Sequence, residues 1–211
     1  IKYHWIICPF KHNIYPEKLP YSVSKRNNEK RVDQLKNHLN SIFPNLIIDP
    51  SQELIEAKDS NEVFYHLDNH WNYYAGYITS KLLVSQLRND FPDVVINDIP
   101  EYEWKDSVLQ QGIHYNVLGI KDISEINIFP VIENEQAPEV KKYGFPSIEG
   151  FAYPWDYERR YANPNNENGL KVLFIRDSFG NQLVPFIKEP FKETVFIFDA
   201  WRYQLNKEII E

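Results

Sequence analysis

The hydrophobic residues of this chain occur in two patterns, short unbroken runs and longer stretches with helical spacing. A short unbroken apolar run is typical of a strand that is buried on both faces. Such runs predict strands over residues 2–8, 46–48, 62–65, 171–175 and 194–198. Apolar residues three or four positions apart predict helices over residues 28–43, 73–89 and 180–188, with another from about residue 205, and residues 52–57 are predicted to form a short helix or a turn.

Strands alternate with helices in both halves of the chain, which is the order of elements in an α/β fold with a parallel central sheet. Asn72 can cap the helix over residues 73–89, and Pro185 is expected to kink or shorten the helix over 180–188. The chain begins within a predicted strand and ends within a helical pattern. We therefore predict one domain, residues 1–211, that is truncated at both ends.

The regular pattern is lost between about residues 93 and 168, where prolines, aromatic residues and turn clusters are frequent. We interpret this stretch as a large irregular insertion that lies against the α/β core. Its aromatic side chains have two possible uses, lining a sugar-binding groove or packing a loop-rich region locally. The sequence does not separate these alternatives.

Composition and charge exclude several classes of protein. Hydrophobic residues make up 43% and aromatic residues 15% of the 211 positions, which is ample for a packed core. The net charge of −7 is spread along the chain and argues against a nucleic-acid partner. No apolar run approaches the roughly 20 residues of a transmembrane helix. The single cysteine, Cys8, lies in an apolar run and is interpreted as a small core residue.

The first candidate for chemistry is Ser178, which follows the predicted strand over residues 171–175. A serine at the turn from a strand into a helix has an exposed hydroxyl, and the start of the helix offers free backbone N–H groups. Many serine nucleophiles occupy such a position. Without a partner base, a plain turn is the alternative interpretation.

The second candidate is the cluster Asp68-Asn69-His70, between a predicted strand and the helix over residues 73–89. A histidine base needs a carboxylate to fix its tautomer, and residues i and i+2 of an extended segment lean to one side. Capping of the helix is an equally valid interpretation of this motif. A metal site is a third, since His66, Asp68 and His70 are possible ligands.

These motifs together resemble the SGNH hydrolase-like proteins of the alginate O-acetyltransferase (AlgJ/AlgX) type, which carry an Asp-x-His-Trp signature. Asp68-Asn69-His70-Trp71 matches that signature, and it precedes the serine motif as in this family. Residues 9–20 resemble the family's Pro-x-Lys and Tyr-Pro-Glu-x-Leu-Pro stretch. Arg176 departs from the family, which has glycine at this position of the Gly-Asp-Ser-Phe motif.

The resemblance implies a flavodoxin-like, three-layer α/β/α domain that needs no cofactor and no metal. It implies Ser178 as the nucleophile, His70 as the general base and Asp68 as the residue that orients the base. Four further residues would lie near the substrate: Lys11, Tyr15, Trp71 and Arg176. Of these, Trp71 has core packing as the alternative, and Arg176 could either crowd the turn or supply positive charge to an oxyanion.

The activity implied by the resemblance is that of a carbohydrate O-acetyltransferase or acetylesterase, located outside the cytoplasm and acting on an extracellular polysaccharide. Its partners would be the polysaccharide, an acyl donor and a membrane protein that passes on the acyl group. One alternative is an inactive polysaccharide-binding or scaffold protein with the same fold. A second alternative is a lipid or peptide esterase.

Overall fold

The strands of the computed structural model form three small sheets. The structure describes residues 1–24, 29–110, 112–119, 123–147, 149–199 and 209. The strands within this part of the chain are β1 (Trp5–Ile6), β2 (Ile47–Ile48), β3 (Glu103–Leu109), β4 (Glu125–Val131), β5 (Glu158–Ala162), β6 (Lys171–Arg176) and β7 (Glu193–Phe198). β1 pairs with β2 in parallel, and β3 pairs with β4 as an antiparallel hairpin. In the third sheet β7 is central, parallel to β6 and antiparallel to β5.

The helices lie between these strands and are mostly short. They are α1 (Lys11–Ile14), α2 (Arg31–Ile42), α3 (Ser51–Ala57), α4 (Tyr73–Asp90), α5 (Ile113–Leu118) and α6 (Val184–Ile187). Three 3-10 helices complete the description, at Pro16–Lys18, Pro154–Asp156 and Ser178–Gln182. None of the helices in the described residues is both long enough and apolar enough to cross a membrane.

The central strand β7 and the long helix α4 carry much of the core. Every residue of β7 is buried, because it has a strand on each side and side chains packed on both faces. One face of α4, including Leu83, Val84 and Leu87, is buried in the main hydrophobic cluster. Phe186 and Phe196 belong to the same cluster, so the core joins α4 to α6 and β7.

Several predicted elements are confirmed. β6, β7 and α3 lie where the apolar runs and spacing placed them. α4 also lies in place, and the Asn72 side chain caps it by accepting a hydrogen bond of 3.1 Å from the Ala75 N–H. α2 is confirmed from Arg31 onward, while the first residue predicted for it, Asn28, lies outside the described residues.

Other predictions were wrong in detail. The described strands are mixed and lie in three separate sheets, because β1 and β2 pair over only two residues each and β5 joins β7 in the antiparallel direction. Residues 62–65 make only an isolated bridge between Phe64 and Trp71. Strand β6 is not buried on both faces, since Leu173 and Ile175 are each 41% exposed.

The remaining differences arise where proline controls the backbone. Two prolines at the ends of a loop favour an extended backbone, and on that basis residues 9–17 would be extended, yet they contain the helical turn α1 and part of a 3-10 helix that Pro16 begins. Pro185 lies in the first turn of α6, where its missing N–H costs nothing, and the preceding residues form the 3-10 helix Ser178–Gln182. The helix predicted from residue 205 lies outside the described residues, apart from Ile209.

The stretch over residues 93–168, predicted as an irregular insertion, contains the β3–β4 hairpin, α5 and β5. Its short elements are separated by segments without regular structure. The division of the chain into one domain with an insertion remains a prediction.

Helix α4 approaches the 3-10 helix Ser178–Gln182 so closely that Gly76 has no room for a side chain. A Cβ atom built on Gly76 would lie 2.2 Å from the backbone oxygen of Gln182. The atom in the way belongs to the backbone, so it cannot turn aside as a flexible side chain can. Glycine at this position therefore sets the distance between the two elements.

We expect Gly76→Ala to destabilise the protein by about 1–3 kcal/mol, the usual cost of overpacking a tight contact. Without that contact the same change within a helix would be stabilising by roughly 0.5–1 kcal/mol. The measurement is the free energy of unfolding in urea. Ser85→Ala, on the exposed side of α4, is the control and should change stability little. A Gly76→Ala protein as stable as the parent would show that the two elements are not in close contact.

Candidate active site

The serine motif lies directly after β6. Asp177 is the N-cap of the 3-10 helix that follows, and its carboxylate accepts a hydrogen bond of 2.9 Å from the Phe179 N–H. Ser178 is the first residue of that helix. Asp177 thus fixes the backbone turn that presents the Ser178 hydroxyl, and its carboxylate is engaged with the backbone.

The histidine motif lies in a loop closed by the bridge between Phe64 and Trp71. The Asp68 carboxylate is 2.5 Å from His70 Nδ1 and also accepts a hydrogen bond of 2.9 Å from the His70 backbone N–H. Because α4 is capped by Asn72, neither Asp68 nor His70 serves as its cap. The capping interpretation of the motif is therefore wrong.

The serine and histidine motifs meet through a second contact of the imidazole. His70 Nε2 lies 2.8 Å from Ser178 Oγ, which is within hydrogen-bond reach. A carboxylate at Nδ1 favours the tautomer with its proton there, which leaves Nε2 to accept the hydroxyl proton. The side chains of His70 and Asp68 are 21% and 22% exposed, so the group opens to solvent. This arrangement can activate a serine hydroxyl for attack on an acyl carbon.

Trp71 joins the same two segments one residue further along. Its indole N–H donates a hydrogen bond of 2.7 Å to the Phe179 backbone oxygen, and the side chain is buried. The Phe179 ring in turn packs on the imidazole of His70, with 4.3 Å between ring centroids. The structure therefore places Trp71 in the core, where it ties the two motifs together.

Lys11 contacts the histidine loop through backbone carbonyls. Its ammonium group donates to the carbonyls of Tyr65 at 2.5 Å, His66 at 3.4 Å and Asp68 at 3.2 Å. Burial lowers the pKa of the Lys11 ammonium, while the nearby carboxylates of Glu125, Asp68 and Glu62 act in the opposite direction. Its charge thus lies next to the loop that carries Asp68.

Tyr15 braces the segment that leads into this loop. Its hydroxyl donates a hydrogen bond of 2.7 Å to Glu62 and accepts one of 3.0 Å from the Val63 N–H. Burial raises the pKa of the Tyr15 phenol, so the group stays protonated. The ring itself is buried, although its edge lines the groove described below.

Arg176 is buried beside the turn that carries Ser178. Its guanidinium lies 3.0 Å from the Asp156 carboxylate and 4.5 Å from the centre of the Phe198 ring, and it donates a hydrogen bond of 3.3 Å to the Asp177 carbonyl. Burial lowers the pKa of Arg176, and Asp156 opposes that shift. A role for Arg176 in binding substrate would require the ion pair with Asp156 to open.

His66 does not join Asp68 and His70 in a metal-binding arrangement. Its Nε2 lies 3.2 Å from a carboxylate oxygen of Glu62. Within the described ranges, no three His, Cys, Asp or Glu side chains are grouped so that they could hold a metal ion.

A groove of about 820 Å³ runs alongside the serine turn. Asp177 and Phe179 form the end nearest Ser178, and the opposite wall comes from α1 and the 3-10 helix after it. The aromatic and basic side chains that line the groove include Phe10, His12, Lys18, His66 and His114. A second cavity of about 560 Å³ lies beside Asp68 and is lined by Tyr65, Tyr73 and Phe129.

Sequence reasoning missed Glu125, which contacts the histidine loop from strand β4. Its carboxylate accepts hydrogen bonds from the backbone N–H groups of His66 and Leu67. The sequence shows only that an acidic residue precedes the alternating segment Ile126-Asn127-Ile128. The polar face of such a strand usually points to solvent, so the sequence does not lead one to expect a buried Glu125.

Solved structures of similar fold cover nearly the whole chain. A DHHW family protein from Eubacterium siraeum is 19% identical, with a TM-score of 0.62, over 93% of this chain and 70% of that one. PatB1 of Bacillus cereus is 14% identical, with a TM-score of 0.63, over 97% of this chain and 76% of that one. A structure of PatB1 with a sulfonyl adduct gives 16% identity and a TM-score of 0.64, over 97% and 74%. Identities this low show a shared fold and no more.

No curated protein matches the chain. The family model described as the SGNH hydrolase-like domain of the acetyltransferase AlgX matches residues 1–122. This range is more than half of the 211 residues and contains Lys11, Tyr15, Asp68 and His70. The protein therefore belongs to the family of SGNH hydrolase-like domains of the AlgX acetyltransferase type.

Proposed function

We propose that this protein is a carbohydrate O-acetyltransferase or acetylesterase that uses Ser178, His70 and Asp68 as a catalytic triad. The observation that carries the proposal is the continuous chain of contacts from Asp68 to His70 Nδ1, at 2.5 Å, and from His70 Nε2 to Ser178 Oγ, at 2.8 Å. Membership of an acetyltransferase family supports acetyl as the acyl group that is moved.

In the first half of the reaction, Ser178 Oγ attacks the carbonyl carbon of an acetyl donor while His70 Nε2 takes the hydroxyl proton. Asp68 stabilises the imidazolium that forms. The tetrahedral intermediate then collapses, the bond to the donor oxygen breaks, and that oxygen leaves with the proton from His70. An acetyl ester of Ser178 remains.

In the second half, a hydroxyl group of the acceptor gives its proton to His70 and attacks the acetyl carbon. The bond to Ser178 Oγ breaks, and Ser178 recovers its proton from His70. A sugar hydroxyl as acceptor makes the reaction a transfer, and water makes it a hydrolysis. The same three residues serve both outcomes.

The oxyanion of each intermediate needs hydrogen-bond donors close to Ser178. The Phe179 N–H is already bonded to the Asp177 carboxylate, at 2.9 Å, and the Gly180 N–H to the Asp177 carbonyl, at 3.2 Å. We therefore assign the Ser178 backbone N–H as the protein donor to the oxyanion.

The groove beside Ser178 is our proposed binding site for the acceptor. Phe10 is 71% exposed and stacks on the His12 ring, with 5.4 Å between centroids and 13° between planes. An exposed aromatic face of this kind suits the apolar face of a sugar ring, and Lys18, His66 and His114 can contact hydroxyl or acidic groups. An open groove also accepts a polymer, so we propose an extracellular polysaccharide as substrate and an extracytoplasmic location.

One observation favours a second candidate, an inactive polysaccharide-binding or scaffold protein. Arg176 replaces the family's glycine two residues before Ser178 and packs against Gly180, where a Cβ atom would lie 2.6 Å from Arg176 Cβ. A bulky residue at this point constrains the turn that presents the nucleophile. The two candidates differ in whether Ser178 can be acylated.

We expect Ser178→Ala and His70→Ala to lower kcat/KM for p-nitrophenyl acetate by on the order of 10³-fold, since each removes a member of the triad. Asp68→Asn should also lower kcat/KM, because an amide does not stabilise the imidazolium. Ser60→Ala, at an exposed turn, is the control and should behave as the parent protein. Parental rates in the Ser178 and His70 variants would refute the triad.

Covalent labelling separates the two candidate functions. An aryl sulfonyl fluoride should label the parent protein once, at Ser178, with Ser178→Ala unlabelled by mass spectrometry. A parent protein that neither labels nor releases acetate would favour the inactive binding protein. Binding of an oligosaccharide to such a protein would then be measured by calorimetry.

We expect Phe10→Ala to weaken acceptor use and spare acetyl release. Stacking of a sugar on an aromatic face depends on that face, whereas the attack of Ser178 on p-nitrophenyl acetate does not. The KM for a tetrasaccharide acceptor should rise about 10-fold, as expected for the loss of about 1.4 kcal/mol. The hydrolysis rate without acceptor should stay within about 2-fold, consistent with a change confined to binding.

Phe43→Ala is the matched control, because Phe43 is also an exposed phenylalanine but does not line the groove. An equal change in acceptor KM for Phe10→Ala and Phe43→Ala would rule out the groove as the acceptor site and leave the triad untouched.

A further inference from the structure

The loop over residues 65–70 has no regular secondary structure, yet its backbone is densely hydrogen bonded by groups from other parts of the chain. Buried backbone N–H and C=O groups must find partners, and most of those that bond this loop come from residues outside it. Lys11 bonds three of its carbonyls, and the His114 N–H bonds a fourth, that of Leu67, at 3.0 Å. Two of its N–H groups bond to Glu125.

Glu125 reaches the loop because the start of β4 buries its polar side chains and exposes the apolar side chain between them. Glu125 is 8% exposed and Asn127 is 4% exposed, while Ile126 between them is 67% exposed. Burying a carboxylate is costly unless hydrogen bonds replace its water. The N–H groups of His66 and Leu67 provide that replacement, so the inward direction of Glu125 is tied to the loop.

Asn127, on the same face of β4, contacts the end of the histidine segment. Its side-chain oxygen accepts a hydrogen bond of 2.9 Å from the amide of Asn72, which also donates at 2.6 Å to the Glu62 carbonyl. The inward face of β4 thus supports the loop before Asp68 and the helix cap after His70.

Lys11 and Glu125 act on opposite polar groups of the same peptide units. The cation bonds the carbonyl oxygens of Tyr65 and His66, and the anion bonds the N–H groups of His66 and Leu67, which belong to the same two peptide units. The two charges therefore hold the loop between them, and each complements the partial charge it faces.

We propose that Glu125 and Lys11 are positioning residues, which hold the backbone of residues 65–68 so that Asp68 orients His70 towards Ser178. The proposal rests on the proposed triad for its effect on rate. Catalytic groups need to be held within about 0.5 Å of their productive positions, and a misplacement of about 1 Å can cost 10²-fold in rate. The loop that carries Asp68 has no strand or helix of its own to provide such precision.

The decisive variant is Glu125→Gln, which keeps the shape of the side chain. The amide has one acceptor oxygen, so the second N–H of the loop faces an NH₂ group. We expect kcat for p-nitrophenyl acetate to fall about 10- to 100-fold with KM within about 2-fold, the pattern of lost alignment. Lys11→Met should act in the same direction, since it removes the donor to three carbonyls.

Glu158 supplies a matched control elsewhere in the fold. It is a buried glutamate that also accepts consecutive backbone hydrogen bonds, from Tyr143, Gly144 and Phe145. Glu158→Gln should lower the melting temperature by about as much as Glu125→Gln does. It should leave kcat within about 2-fold of the parent value, as expected for damage remote from the reacting groups. Equal losses of kcat in Glu125→Gln and Glu158→Gln would overturn the proposal.

A double-mutant cycle tests whether Glu125 acts through Asp68. If it does, adding Glu125→Gln to Asp68→Asn should lower kcat by less than 2-fold beyond Asp68→Asn alone, since coupled residues are not additive. Fully additive losses would show that Glu125 acts by another route, and would overturn the proposal.

The proton between His70 Nδ1 and Asp68 provides a measurement that does not depend on activity. Its resonance should lie far downfield in the ¹H NMR spectrum of the parent and of Glu158→Gln, and should move upfield or vanish in Glu125→Gln. An unchanged resonance would overturn the proposal. An inactive parent protein whose resonance is lost in Glu125→Gln would refute the proposed function and retain the positioning role.

Discussion

Two hydrogen bonds between segments 108 residues apart hold the site together, one from His70 Nε2 to Ser178 Oγ and one from the Trp71 indole to the Phe179 carbonyl. Consecutive residues of one segment meet consecutive residues of the other, so the register between them is defined twice. The second bond comes from the buried Trp71 side chain and involves a backbone oxygen, whereas the side chains of His70 and Asp68 are partly exposed to solvent. The Trp71 bond can therefore keep Ser178 and His70 within reach of each other without involving the Ser178 hydroxyl.

The elements around this junction all restrict how the two segments can move. Gly76 lets α4 approach the backbone after Ser178, and Asn72 caps α4 while bonding to two other segments. Arg176 bonds the Asp177 carbonyl and the Asp156 carboxylate, and Asp177 accepts a hydrogen bond from the Phe179 N–H. Both residues therefore restrain the turn that carries Ser178. Since β1 and β2 are short and the sheets are small, the precision of the site comes from side-chain and backbone contacts of loops. Polar interactions, and not a large sheet, therefore hold the residues of the site in position.

The sequence predicted more of the site than of the sheet. The strand before Ser178, the helix after His70 and its Asn72 cap all follow from local apolar spacing and capping chemistry, and the structure has them. The predicted single parallel sheet is not present in the described residues, because pairing depends on partners distant in sequence. Periodicity alone could not reveal that Glu125 faces inward and Ile126 outward, since alternation defines two faces without saying which one is buried. The burial of Arg176 likewise depends on Asp156, whose approach no local pattern indicates.

The partial exposure of His70 and Asp68 has a kinetic consequence. Water can reach the imidazole, so under the proposed function an acetylated Ser178 would always have two fates. The ratio of ester formed to acetate released then depends on how long the intermediate survives and on how completely an acceptor in the groove displaces that water. The length and occupancy of the groove, more than any change in the triad, would therefore set the ratio of acetyl transfer to a polymer to hydrolysis of the donor.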